Sequence, residues 1–135
     1  MNDLLIARYD RQIRLPQIGL EGQEKLISAH VIIIGLGGLG SPVSLYLAAS
    51  GVGKLTLVDF DVVEASNLQR QIIHREDRLG MSKVESAKQT LMGVNSHIQI
   101  ETVNQFLTEA ALADLCQKVD VIVDCTDNGL SRTVI

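Results

Sequence analysis

Four places along the chain carry groups suited to holding phosphate and sugar. The first is Gly35-Leu36-Gly37-Gly38-Leu39-Gly40, a GxGxxG spacing set between the apolar run Val31-Ile32-Ile33-Ile34 and Ser41-Pro42. Glycines let the backbone turn sharply and approach a ligand, and the N–H groups and dipole of a following helix favour a phosphate. The second is Asp59, about 20 residues beyond the turn, where a doubly wound fold sets a carboxylate against ribose hydroxyls; its plainer role is to cap a loop. The third is Lys83, expected at the first position of a helix, where its charge opposes the dipole by about 0.3–1 kcal/mol. A lysine there makes better sense with an anion in reach. The fourth is Asp127, expected at a strand's carboxyl end beside the same crevice. Strand before and helix after favour a nucleotide at the glycine turn over a merely structural bend.

These groups need elements to position them. The run 31–34 lacks polar alternation and reads as a strand buried on both faces. Ser41 is expected to cap the next helix, with Pro42 at its first position. Residues 43–50 are apolar nearly all round, as in a helix packed on a sheet, and Gly51 closes it. Residues 55–58 form the second strand, ending at Asp59. A polar connection follows to Gln71, holding Asn67-Leu68-Gln69-Arg70-Gln71, in the kind of place where ligand contacts concentrate. His74-Arg75-Glu76-Asp77-Arg78 reads as a solvated face, with His74, His30 and His97 exposed.

Ser82-Lys83-Val84-Glu85 is a capping box opening a helix to about Gly93. Residues 98–103 alternate, as in a strand nearer an edge. Thr108 opens a helix with Ala110, Ala111, Leu112 and Leu115 inward, and residues 119–123 form the fourth strand. Ahead of all this, Arg8 to Pro16 reads as one short, solvated, arginine-rich helix stopped by the proline, and residues 20–28 as a second helix. The reading is a single α/β domain: a helical arm over 1–29, then nucleotide-binding βα units over 30–135. Its Rossmann-like, doubly wound, mostly parallel sheet is expected to have right-handed crossovers. A further helix begins near Ser131, so the sheet reads as truncated after its fourth strand, a fragment or a chain completed by a partner.

Composition narrows the classes. The 135 residues carry a net charge of −4 with 3% aromatic content, against a general nucleic-acid binder, while 46% hydrophobic residues support a real core. No apolar run is long enough to cross a bilayer, and the expected compartment is the cytoplasm. Cys116 and Cys125 have no CxxC spacing and read as a helix core residue and a strand-end residue, not a zinc site or a disulfide framework.

Taken in order, Arg8-Tyr9-Asp10-Arg11-Gln12, Gly35-Leu36-Gly37-Gly38-Leu39-Gly40, Asp59-Phe60-Asp61, Ser66-Asn67-Leu68-Gln69-Arg70-Gln71, Gly80-Met81-Ser82-Lys83-Val84 and Asp124-Cys125-Thr126-Asp127-Asn128 resemble the MoeB/ThiF/HesA family, bacterial relatives of the ubiquitin-activating enzymes. The resemblance runs in phase from about residue 8 to the last residue. It implies ATP-dependent adenylation of the C-terminal glycine of a small ubiquitin-like sulfur carrier protein, of molybdopterin or thiamine type. The products would be the acyl-adenylate and pyrophosphate. ATP, Mg²⁺ and a homodimer come with it.

By the same resemblance, Gly38 would approach the nucleotide within the turn that Gly35, Gly37 and Gly40 complete, and Asp59 would hold the ribose. Asn67, Arg70 and Lys83 would contact the phosphates, with Ser66 lining the same loop. Asp127 would place Mg²⁺, with Asn128 beside it, and Arg11 would reach into the other subunit's site. Arg11, Arg70, Lys83 and Asp127 are thus the implied catalytic set. The family's later half supplies more carrier-docking surface, paired CxxC zinc motifs and, in some members, a reactive cysteine. No zinc ligands of that kind occur here, and Cys125 belongs to the strand-end motif. Two other readings stand beside this one. One is a catalytically inert nucleotide-binding fragment. The other is an NAD-dependent dehydrogenase, which would share the glycine turn and Asp59 but has no use for Asn67, Arg70 and Lys83.

Overall fold

The structure is a computed structural model that describes residues 1–126. The expectations for Asp127, Asn128 and a helix near Ser131 fall outside them. Four parallel strands lie in the order β3-β2-β1-β4: β1 (His30–Ile34), β2 (Lys54–Val58), β3 (Gln99–Val103) and β4 (Val121–Asp124). Chain order steps outward from β1 to β3, then returns to the far side of β1. That reversal opens a crevice at the carboxyl ends of β1 and β4, as the doubly wound reading requires.

Between the strands run α4 (Gly40–Ser50), α5 (Lys83–Val94) and α6 (Glu109–Cys116). Val31 and Ile33 of β1 pair with Leu55 and Leu57 of β2 and share a core with Ala48, Val52, Val84, Ala87 and Leu91. Ile32 is fully buried as well, so both faces of β1 are covered. β3 is an edge strand whose residues alternate in exposure. No helix among the described residues is long and apolar enough to cross a membrane.

The N-terminal arm differs from the single helix expected. It is α1 (Asp3–Arg8) and α2 (Asp10–Ile13), broken at Tyr9, followed by α3 (Gly19–Ser28). The break has a packing cause. Tyr9 is buried beside Gly51, where an added Cβ would lie 2.6 Å from the tyrosine Cζ, and its hydroxyl accepts from Asn95 Nδ2 at 2.8 Å. Gly51 caps α4 at φ +93°, as its position implied. Three smaller expectations also shift. Ala110 is exposed while Leu112 is buried, β4 starts at Val121 rather than residue 119, and His30 is half-buried on Thr56 Oγ1 at 2.7 Å.

Candidate functional site

The glycine turn leaves β1 at Gly35, which takes φ +93° and whose Cβ would meet the Cys125 carbonyl oxygen at 2.9 Å. Gly40 is packed tighter still: a Cβ there would sit 1.8 Å from the Gly35 carbonyl oxygen. These two positions fold the turn back against the ends of β1 and β4. Ser41 is not the cap it was expected to be. α4 begins two residues earlier, at Gly40, and Leu39 at the N-cap supplies no side-chain hydrogen bond. Ser41 is buried inside the first turn, its Oγ donating to the Leu36 carbonyl at 3.4 Å. The end of α4 facing the crevice therefore lacks a side-chain oxygen of its own, an arrangement suited to an incoming anion.

Two cations belong to this region, Arg70 over the turn and Lys83 on the neighbouring loop at Asp61. A Cβ on Gly38 would lie 3.6 Å from Arg70 Cδ, so the arginine stem runs across the turn. Arg70 Nη2 donates to Asn67 Oδ1 at 2.9 Å, and Ser66 lies exposed in the same 3-10 turn, Ala65–Asn67. Lys83 opens α5 as expected, with Ser82 Oγ capping the Glu85 N–H at 3.3 Å. Lys83 is 6% exposed, and its Nζ is 3.8 Å from Asp61 Oδ2. That is a loose pairing for a buried ammonium.

Asp59 links the two sides. Its Oδ2 accepts from the Leu36 N–H at 2.8 Å and its Oδ1 from the Asp61 N–H at 2.9 Å. The carboxylate thus caps both the glycine turn and its own loop. Gly37, Gly38, Asp59, Asn67, Arg70 and Lys83 are thus brought together. Arg11 is not. The arm packs against Ser50, Gly51 and Asn95, at the amino ends of the strands, with Gln12 Nε2 donating to the Ser50 carbonyl at 3.0 Å.

Several neighbours escaped the sequence reading. Phe60 and Phe106 meet edge to face, 5.7 Å between centroids, next to Asp59. Gln71 is buried, with Nε2 3.4 Å from where a Gly37 Cβ would be. Asp124 accepts from Thr126 N and Oγ1 through Oδ1, while its buried Oδ2 has no partner among the described residues. The largest correction is His74, expected at the surface and found 6% exposed. Burial pushes its imidazole below the ordinary 6.5; the bond to Leu36 pulls the other way, Lys83 and Arg78 add to the depression, and Asp59 opposes it. Arg78 is also no part of a solvated face: its Nη1 donates to the Ser86 carbonyl at 2.8 Å.

The ThiF family model matches residues 9–135. The chain belongs to the ThiF family.

Among ThiF relatives, the molybdopterin-synthase adenylyltransferase of Haemophilus influenzae is 55% identical over 121 residues, covering 90% of this chain and 50% of that protein. The Escherichia coli K12 protein of the same name is 50% identical over 132 residues, covering 98% and 53%. This chain thus spans about half the length of these two curated relatives. Among solved structures, the E. coli tRNA N6-threonylcarbamoyladenosine dehydratase in complex with ATP superposes with a TM-score of 0.86. It has 28% identity over 94% of this chain and 52% of that one. Family membership decides against the dehydrogenase reading.

Proposed function

We propose that this ThiF chain binds ATP at the Gly35–Gly40 turn and serves the adenylation of a small ubiquitin-like sulfur carrier protein. The observation that carries the proposal is Arg70 lying over Gly38 at a helix end that has no side-chain cap, with buried Lys83 held to Asp61 in the loop that Asp59 opens. In the reaction, a carrier C-terminal carboxylate oxygen attacks the α-phosphorus of ATP. The bond from that phosphorus to the bridging oxygen breaks, and pyrophosphate leaves with the electron pair. The nucleophile is already ionised at neutral pH, so no general base is needed. An anion must approach an anion, and fixed cations offset that repulsion and stabilise charge growing in the transition state. Arg70 and Lys83 fill that part, Asn67 orients Arg70, and Asp59 keeps its hold on the Leu36 N–H while its remaining lone pairs accept from the ribose.

Mg²⁺ would enter with the nucleotide and neutralise phosphate charge. By the family resemblance, Asp127, beside Asn128, would hold it. Arg11 would act from a second copy in a homodimer. The names of the curated relatives favour a molybdopterin-type carrier over a thiamine-type one, and the compartment proposed is the cytoplasm.

ATP–pyrophosphate exchange in the presence of a sulfur carrier protein tests the proposal. Arg70→Ala and Lys83→Ala are expected to lower exchange by about 100-fold or more each, with thermal stability little changed. Exchange unaffected by both would refute their roles. Binding of ATP without exchange would leave the chain a nucleotide-binding fragment.

A further inference from the structure

His74 has both ring nitrogens engaged. Nε2 lies 2.9 Å from the Leu36 carbonyl oxygen and Nδ1 lies 2.8 Å from Ser86 Oγ. A carbonyl can only accept, so in the neutral ring Nε2 carries the proton, and Nδ1 accepts from the Ser86 hydroxyl. The Leu36 N–H is meanwhile donated to Asp59. Both backbone polar groups of this turn residue are therefore held by side chains from other segments. Ser86 sits on α5, one turn after Lys83. The segment bearing His74 is itself tied to α5: Thr90 Oγ1 donates to the Ile73 carbonyl at 2.6 Å, and Arg78 Nη1 donates to the Ser86 carbonyl at 2.8 Å.

We propose that His74 is a positioning residue for nucleotide binding, its imidazole bridging the Leu36 carbonyl and the Ser86 hydroxyl so that the glycine turn keeps a fixed spacing from Lys83. The inference rests on the reading that a nucleotide occupies this turn. Its physical basis is preorganisation. A turn with glycines at 35, 37 and 38 has little side-chain packing to set where its N–H groups point. Anchoring Leu36 at N–H and C=O leaves Gly37 and Gly38 a narrow range of conformations. The same bridge fixes the start of α5, so the cation and the turn meet the phosphates as one unit.

The variants separate this role from simple burial. In the full chain, His74→Gln can place its amide nitrogen near the Nε2 position and keep the bond to Leu36. His74→Asn is too short for that and keeps only the Ser86 side. Asn95→Ala, at the other end of the sheet, serves as a destabilised control. ATP affinity is read by titration with Mg²⁺ present, and amide hydrogen exchange is followed at Gly37 and Gly38.

His74→Asn is expected to weaken ATP binding about tenfold or more, since sub-ångström misplacement of binding groups is enough for losses of that order. It should also speed exchange at both glycines. His74→Gln should restore affinity to within about threefold and restore protection, while Asn95→Ala changes neither. Equal ATP affinity in wild type and both His74 variants overturns the inference, as does a loss shared by Asn95→Ala in proportion to stability. An unaltered protein that binds no ATP overturns the functional reading and this inference together. That result is distinct from failure of the inference alone, in which ATP binds and the His74 variants bind it equally.

Discussion

At the scale of single residues, His74 makes stability depend on pH with a definite sign. Its imidazole is held below 6.5 chiefly by burial, with Lys83 and Arg78 adding to the effect against the pulls of the Leu36 carbonyl and Asp59. As pH falls from 6.5, the unfolded chain takes up this proton before the folded one does. Stability is therefore full above the ordinary value and declines as pH falls toward the folded-state value, levelling once the folded ring also titrates. A protonated ring would also lose the acceptor that the Ser86 hydroxyl needs, and would add a charge beside Lys83 and Arg78. Urea titrations at about pH 7.5 and pH 5.5, on either side of the ordinary value, should show a smaller drop in stability for His74→Gln than for wild type. Identical drops would mean that His74 takes up its proton equally in the folded and unfolded chain, so that burial does not depress it.

At the scale of elements, α4 separates two jobs. Its first turn faces the crevice, and its last turn seats the N-terminal arm. Asn95, which caps α5, donates to Tyr9 Oη and to the Ala48 carbonyl and accepts from the His97 N–H. Asn95→Ala leaves a buried carbonyl and a buried hydroxyl short of a donor, and should reduce unfolding free energy by about 2–3 kcal/mol. Nucleotide affinity should hold, because α5 still starts at Ser82 and Lys83; chemical denaturation alongside ATP titration checks both halves. What the sequence disclosed follows the same division. The strands, the glycine turn, the cap at Ser82 and the edge position of β3 are written in local pattern, so they were legible. Burial of His74 was not, because the carbonyl that needs its proton belongs to Leu36, distant in the chain. A histidine beside four charges carries no local sign of that demand. The break at Tyr9 likewise reflects a partner, Gly51, that only the folded chain brings near. Ser41 failed as a cap because Gly40 packs so close to Gly35 that helical geometry begins two residues early.

At the scale of the whole molecule, the question is how Arg11 can serve a site that its own chain keeps at a distance. α4 has 11 residues and so spans about 16 Å at 1.5 Å per residue. The arm sits at one end of it and the glycine turn at the other, and Tyr9 and Gln12, on either side of Arg11, are both tied down at the arm's end. Any action of Arg11 on the nucleotide therefore requires a second copy, in keeping with the homodimer proposed above. In a two-fold dimer the relation is reciprocal, each arm serving the other's turn. Arg11→Ala then leaves a sound cradle without an arm, and Lys83→Ala a sound arm without a cradle. Each variant alone should be nearly inactive in pyrophosphate exchange. After subunit exchange in an equal mixture, about half the dimers are mixed, and each mixed dimer owns one site with both parts intact. Activity should return to about a quarter of the wild-type rate at equal total protein. No recovery after demonstrated subunit exchange would place Arg11 outside the reaction. Full activity of Arg11→Ala by itself would show that the cradle of Arg70 and Lys83 works unaided.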